Sequence, residues 1–187
     1  MGRFWRAVMI FEAILGVRGP FFAPMGVEAD ERMESDFVVL RPFLSSRTGQ
    51  ALLSSGSGAL NFADDALLFA QTALTDETPP SRGPVLNDVP CWWAISVVSS
   101  PDAASPPARR LTIRCRVEKK NFLRPFPPFN RARSAAIEAV ILATRFRLAG
   151  FDRAKAEARM DELEEIAEKT GGKRELRAFK LIRASIA

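Results

Sequence analysis

An α+β fold is predicted for this 187-residue chain by three observations. Short runs rich in Val, Ile, Leu and Phe, broken by Gly and Pro, fill the first two-thirds. A proline-rich break, Leu123 to Phe129, carries three prolines, which remove backbone donors and fix φ. Beyond it, apolar residues recur at helical spacing to the end. The break is the expected domain boundary, with a β domain at 9–122 and a helical unit at 126–187.

The elements follow in order. Met9 to Val17 reads as a strand, Gly19-Pro20 as a turn, and Phe21 to Val27 as its hairpin partner. Phe37 to Leu40 is a short, fully apolar strand. Gln50 to Ser55 suits a short helix ended by Gly56 and Gly58, and Ala59 to Phe62 suits another strand. Asp64 is the expected cap of a helix over Ala66 to Leu74, with Asp65 favourable to its dipole. Thr75 to Pro90, with Pro79-Pro80 and Gly83-Pro84, reads as an exposed excursion. Cys91 to Ser99 and Leu111 to Val117 are β-rich and are expected to pair across the loop Pro101 to Ala108.

Asn130 is a natural cap for a helix over Arg131 to Leu148, closed by Gly150. Its alanines 132, 135, 136, 139 and 143 form a small-residue stripe that a neighbouring backbone can approach closely. Asp152 caps a second helix with Ala156, Met160, Leu163 and Ala167 on its inner face, ended by Thr170-Gly171-Gly172. Leu176, Phe179, Ile182 and Ile186 mark the inner face of a third. A three-helix unit of this size requires tertiary packing for stability.

Composition excludes several functions. The chain has no His, which removes the usual general base, the usual zinc ligand and every His-containing triad. Two cysteines, Cys91 and Cys115, are too few for a metal ribbon or disulfide framework and are expected as buried thiols in strands. No metal site is expected, and the cysteine usage favours the cytoplasm. Residues 1–100 carry 7 Lys/Arg against 11 Asp/Glu, and residues 101–187 carry 20 against 11. The basic half interleaves its cations with acids at helical spacing and lacks stacking or finger motifs, so no nucleic-acid binding is expected. Met1 to Arg6 followed by Ala7 to Val17 has the outline of a leader peptide. Glu12 interrupts the apolar run, no small-residue cleavage site precedes Pro20, and the run is short of the roughly 20 residues a bilayer requires. A first core strand is the expectation, with no membrane association.

Four clusters carry candidate chemistry. Arg41, Phe43, Ser46, Arg47 and Thr48 follow the strand Phe37 to Leu40, bringing guanidinium forks and hydroxyls before a short helix. That combination suits a phosphate. It equally suits a polar turn with Arg41 paired to a carboxylate. Ala23-Pro24-Met25-Gly26-Val27 offers a sulfur and an exposed strand edge to a flat ring, or is a plain edge or bulge. Phe126, Phe129, Asn130 and Arg131 meet at a helix start and either complete a ligand site or staple the helices. Lys169 to Glu175 is an anion cradle or a helix C-cap and turn. No pair of acids has a spacing that argues for acid/base work, so no catalytic residue is assigned.

These segments occur in an order that resembles the domain of unknown function 447 family. It is found in methanogens and in bacteria that use tetrahydromethanopterin-linked one-carbon chemistry. The resemblance runs from about Met9 to Ala187. Its motifs are the segments above, Asn61 with Asp64-Asp65 and Leu67-Leu68-Phe69-Ala70, Ile137-Glu138-Ala139, and Ala143-Thr144-Arg145. It implies a split β-barrel like those of flavin reductases and pyridoxamine phosphate oxidases, with appended helices, that dimerises and binds FMN near the dimer interface. On that basis Ser46, Arg47 and Thr48 match the phosphate-holding turn, and Met25 and Gly26 match the strand facing the flavin ring. Val27, Arg41, Phe43 and Asn61 join the expected cofactor set. Asn130 and Arg131 match a family signature and are counted with it. Two departures stand near this site: the hairpin from Val17 to Pro20 is short for the family, and Ala51 replaces an expected Asn.

The expected function is flavin-dependent redox chemistry on a small molecule, with an unspecified substrate and electron donor. The alternatives are a flavin carrier or sensor without turnover, and a structural partner in a biosynthetic complex that has lost the cofactor.

Overall fold

The structure is a computed structural model that describes residues 8–19, 21–100, 110–127, 130–148 and 150–187. The basic start Met1 to Arg6, Pro20 of the first turn, the expected loop Pro101 to Ala108, and Phe129 lie outside the described residues. The chain forms two compact units. One comprises residues 1–62 and 80–124, the other residues 63–79 and 125–187.

The first unit is a closed antiparallel barrel. Its strands are β1 (Val8–Val17), β2 (Phe21–Asp30), β3 (Phe37–Leu40), β4 (Ser57–Phe62), β7 (Cys91–Ser99) and β8 (Ile113–Phe122). Around the barrel they run β1-β2-β3-β8-β7-β4. A short helix, α1 (Arg47–Ser55), joins β3 to β4 and ends at Gly56 in the left-handed conformation. A two-stranded ribbon, β5 (Ser81–Arg82) and β6 (Val85–Leu86), precedes β7.

Alternation decides which side chains fill the barrel. Ala13, Leu15, Val17, Val27, Leu40, Leu60, Trp93, Ile95, Ile113 and Cys115 form its core. Trp93 packs edge to face on Phe62, ring centroids 4.9 Å apart, a contact worth about 1 kcal/mol beyond area burial. Both cysteines are buried free thiols. Burial pushes the Cys115 thiol up to about 12. Burial also raises Cys91, with Trp93 and Lys120 pulling the other way.

The pairing is incomplete on one side. β4 meets β1 only at Ile14, Leu15 and Gly16, and β3 meets β2 only at Val27 and Glu28. The outer edges of Val8–Ala13 and Phe21–Met25 therefore have no strand partner among the described residues. Pro24 occupies that free stretch in unbroken register opposite Ile14. It is an edge proline, not a bulge, because its missing N–H leaves no ladder bond unmade there.

In the second unit four helices, not three, pack together: α2 (Ala66–Leu74), α3 (Arg131–Arg145), α4 (Arg153–Thr170) and α5 (Lys173–Ile186). α2 lies within the 9–122 stretch of sequence, yet its Ala66, Leu67 and Ala70 share a core with the C-terminal helices. The five alanines of the α3 stripe are buried there, as are Ala156, Met160, Leu163 and Ala167 of α4.

Several local expectations are corrected. Asp65, not Asp64, caps α2, accepting from Leu67 N at 3.0 Å, and it also pairs with Arg174. α3 ends at Arg145, three residues before Leu148. The inner face of α5 turns by one position, burying Glu175 and Ala178 while Leu176 is exposed. Glu175 draws that face inward because its carboxylate accepts from Gly172 N at 2.9 Å and lies 3.5 Å from Arg133. β8 starts and ends later than the expected Leu111 to Val117. Leu111 leaves the ladder to donate its N–H to Pro42 O at 2.8 Å. No described helix is long and apolar enough to cross a membrane.

Candidate functional site

The turn after β3 is built to expose amides. Ser46 caps α1, its Oγ accepting from Gly49 N at 3.1 Å, and its own N–H donates to Phe43 O at 2.9 Å. The N–H groups of Arg47 and Thr48 are left without acceptors among the described residues, as a helix start requires. Thr48 is only 5% exposed, and its hydroxyl makes no hydrogen bond among the described residues. Arg47 stands over the Phe21 ring, 5.4 Å from its centroid. No acid lies in the first turn of α1, so the free amides and the helix dipole make this end of the helix positive.

Arg41 and Phe43 are neighbours of this turn with other attachments. Arg41 forks onto Glu28, one bond being 3.2 Å, and also reaches Thr112 Oγ1 at 3.2 Å. The Glu28 hydrogen bond and charge raise the pKa of the guanidinium. For Arg41 the ion-pair reading is the one realised. Phe43 is exposed and carries Arg110 over its ring at 4.0 Å, while Arg110 Nη1 donates to Arg41 O at 2.9 Å.

The β2 residues divide by alternation. Met25 and Val27 point into the barrel core and have no free surface for a flat ring. Gly26 lies on the outer face, where Ile10 Cγ2 would come within 3.0 Å of any added Cβ.

Asn61 is a structural clamp. It is fully buried, donating from Nδ2 to Ile14 O at 3.1 Å and Pro84 O at 3.0 Å, while Oδ1 accepts from Leu86 N at 3.0 Å. Gly16 makes this possible, because a Cβ there would stand 2.1 Å from Pro84 O. The expected exposed excursion is therefore fastened to the barrel, with Leu86 and Val89 buried. Asn61 has no donor to spare for a cofactor, since both amide hydrogens are bonded, and its buried oxygen is already held by Leu86 N.

Asn130 and Arg131 belong to the other compact unit. Asn130 caps α3 through Arg133 N at 3.2 Å and donates to Thr170 O at 3.2 Å. Gly171 sits against the same joint, where an added Cβ would be 2.6 Å from Ala167 O and 3.1 Å from Ala132 Cβ. The Lys169 to Glu175 segment thus forms a tight helix turn locked to the start of α3. Asn130 and Arg131 also border a surface cleft of about 320 Å³ between α3 and α4. Sequence reasoning missed Gly16 and Arg110, since nothing local marks a glycine beneath a distant carbonyl or an arginine beyond a loop. Among the described residues no group of acids, His or Cys could hold a metal.

Two family models together span nearly the whole chain. The N-terminal domain of a protein of unknown function, DUF447, matches residues 11–124, and the DUF447 protein of unknown function matches residues 130–184. The chain belongs to the DUF447 family. A crystal structure from the same family, an FMN-bound protein of Methanosarcina mazei, is 24% identical over 97% of both chains, with a TM-score of 0.81. The flavin reductase HpaC, complexed with NADP+, is 16% identical over 65% of this chain and 82% of its own, with a TM-score of 0.50. The styrene monooxygenase flavin reductase of Pseudomonas putida S12 is 16% identical over 60% and 81%, with a TM-score of 0.45. No curated protein matches the sequence. The fold of this DUF447 chain is thus the flavin-reductase-like split barrel with C-terminal helices.

Proposed function

We propose that this DUF447 protein binds FMN as a homodimer and uses it for redox chemistry on a small molecule. The observation that carries this is the start of α1. Thr48, a residue only 5% exposed, holds an unpartnered hydroxyl next to two free amides, and the adjacent Arg47 adds a guanidinium. Neutral and charged donors converging there meet the requirement of a phosphate monoester. Gly26 supports the placing of a ring, since bare backbone on the outer face of β2 leaves only Ile10 beside it.

Bound FMN would supply the electron-accepting and electron-donating chemistry, leaving orientation and electrostatics to the protein. Arg47, Thr48 and Ser46 would hold the phosphate end. Arg41, Asn61, Met25 and Val27 support the walls of the barrel instead. The dimer reading is supported by Val8, Met9 and Ile10, three successive apolar residues exposed by 69%, 48% and 65% on the strand edge that β4 leaves unpaired. Two buried free thiols favour a reducing, cytoplasmic setting. A link to one-carbon cofactor metabolism rests on the family resemblance.

The test is an absorbance spectrum of the purified protein and an FMN titration of wild type and Arg47→Ala/Thr48→Ala. Flavin bands and an affinity loss of about 10- to 100-fold are expected, the scale of one or two charge-assisted hydrogen bonds. A wild type that takes up no FMN, or a double variant that binds it equally well, would overturn the proposal.

A further inference from the structure

The outer face of β3 and β8 carries cations that no ion pair absorbs. Val38, Leu40, Ile113 and Cys115 point into the barrel, so Phe37, Val39, Arg114 and Arg116 face outward. The register sets Phe37 beside Arg116 and Val39 beside Arg114. Both guanidinium groups gather on one ring, Arg114 at 4.5 Å and Arg116 at 5.5 Å from the Phe37 centroid. Neither forms an ion pair among the described residues. Two acids lie on this outer surface: Glu28 holds Arg41, and Glu118, two residues beyond Arg116, accepts from Ser96. On the far side of β8, Ser99 stands beside Arg114 and Ser96 beside Arg116.

We propose that this face is a docking site for the diphosphate of a nucleotide. An arginine fork takes one phosphate in bidentate fashion, and two forks held on one ring can take two adjacent phosphates. Stacking on Phe37 orients both forks before the ligand arrives, which lowers the entropy cost of binding. A guanidinium stacked on one side still offers its other plane to a nucleobase. Charge complementarity selects the class of ligand, since two guanidinium groups outside any ion pair outnumber the one nearby carboxylate of β8, Glu118, and favour a dianion or trianion over a neutral metabolite. This site is separate from the start of α1 and does not depend on FMN binding there.

ADP and AMP are the probes, titrated calorimetrically into the full chain at low salt, with FMN titrated into the same samples. The variants are Arg114→Gln/Arg116→Gln and, as a charge-matched control, Arg145→Gln/Arg177→Gln, both exposed on the helical unit. Wild type and control should bind ADP alike, and AMP about tenfold more weakly, because one fork is left empty. The β8 variant should lose about tenfold or more in ADP affinity while its FMN affinity stays within about twofold. The proposal is overturned if wild type does not bind ADP, if the β8 variant retains ADP affinity, or if AMP equals ADP. It is equally overturned if FMN affinity falls together with ADP affinity, which would make this face part of the flavin site. A single-stranded oligonucleotide bound in place of ADP would also refute it. If ADP behaves as expected and wild type takes up no FMN, the flavin reading fails and this one stands.

Discussion

Asn61→Ala separates the structural role of this amide from a cofactor role. The change removes two donors' bonds, to Ile14 O and Pro84 O, and one acceptor's bond, from Leu86 N. These groups sit in the interior: Ile14 and Leu86 are 0% and 1% exposed, and Pro84 O presses against Gly16. Each bond contributes about 1 kcal/mol net, and buried groups left unpaired cost about 1–3 kcal/mol each. Water can enter the vacated space and recover part of this, so a loss of about 3 kcal/mol is expected. For a chain of this length that corresponds to roughly 6–12 °C in Tm. Thermal unfolding followed by tryptophan fluorescence reads the loss from Trp93, in the barrel core. Limited proteolysis between Thr75 and Pro90 should show earlier cleavage, because the ribbon β5–β6 loses its fastening. At a temperature where the variant is folded, its FMN affinity should match that of wild type within about twofold. An unchanged Tm, or a specific loss of FMN affinity with the fold intact, would refute the assignment. Asn61→Asp is a sharper second variant, since it keeps the acceptor for Leu86 N but turns a carboxylate oxygen toward two carbonyls.

Gly171→Ala should destabilise the helical unit by about 2 kcal/mol, because backbone at Ala167 and the packed Ala132 leave no room for a methyl group; far-UV circular dichroism during urea unfolding measures it. Cys115 should resist thiol reagents in the native state and react only on unfolding, since its thiol is buried with a pKa pushed up to about 12. The same shift carries a sign. Above the ordinary value of 9.0 the unfolded thiol ionises while the native one stays protonated, so stability should fall as pH rises from about 9 toward 12. Cys115→Ala should flatten that part of the stability curve, and an unchanged slope would count against the shift.

How far the sequence was readable depends on the range of the interaction. The apolar runs at Met9–Val17, Phe21–Val27 and Phe37–Leu40 marked their strands because short runs rich in branched and aromatic residues, bounded by turn residues, suit buried strands. Asn130 and Asp152 marked helix starts because a cap acts within three residues. Asp64 and Asp65 could not be told apart, as adjacent carboxylates satisfy the same composition rule. Leu176 was placed inward by its spacing, but the buried Glu175 with Arg133 and Gly172 as partners turned the helix by one position. The helix Ala66–Leu74 has the same local look whichever core it joins. For the candidate site, Ser46 as a cap and Arg47 at the helix start could be read from order alone. The fates of Arg41 and Asn61 could not, because Glu28, Ile14 and Pro84 are distant in the chain.

The sequence by itself determined the class of most segments (though not of the ribbon β5–β6), the change from strands to helices near residue 125, and the exclusion of histidine chemistry. Those follow from composition and short periodicities, which every segment carries whatever surrounds it. Only the tertiary structure decided that Met25 and Val27 face inward, that Asn61 is spent on a carbonyl beside Gly16, and that Arg114 and Arg116 share one phenyl ring. Each of these is a pairing between residues far apart in sequence, and register and closure of the barrel, rather than local propensity, choose such partners.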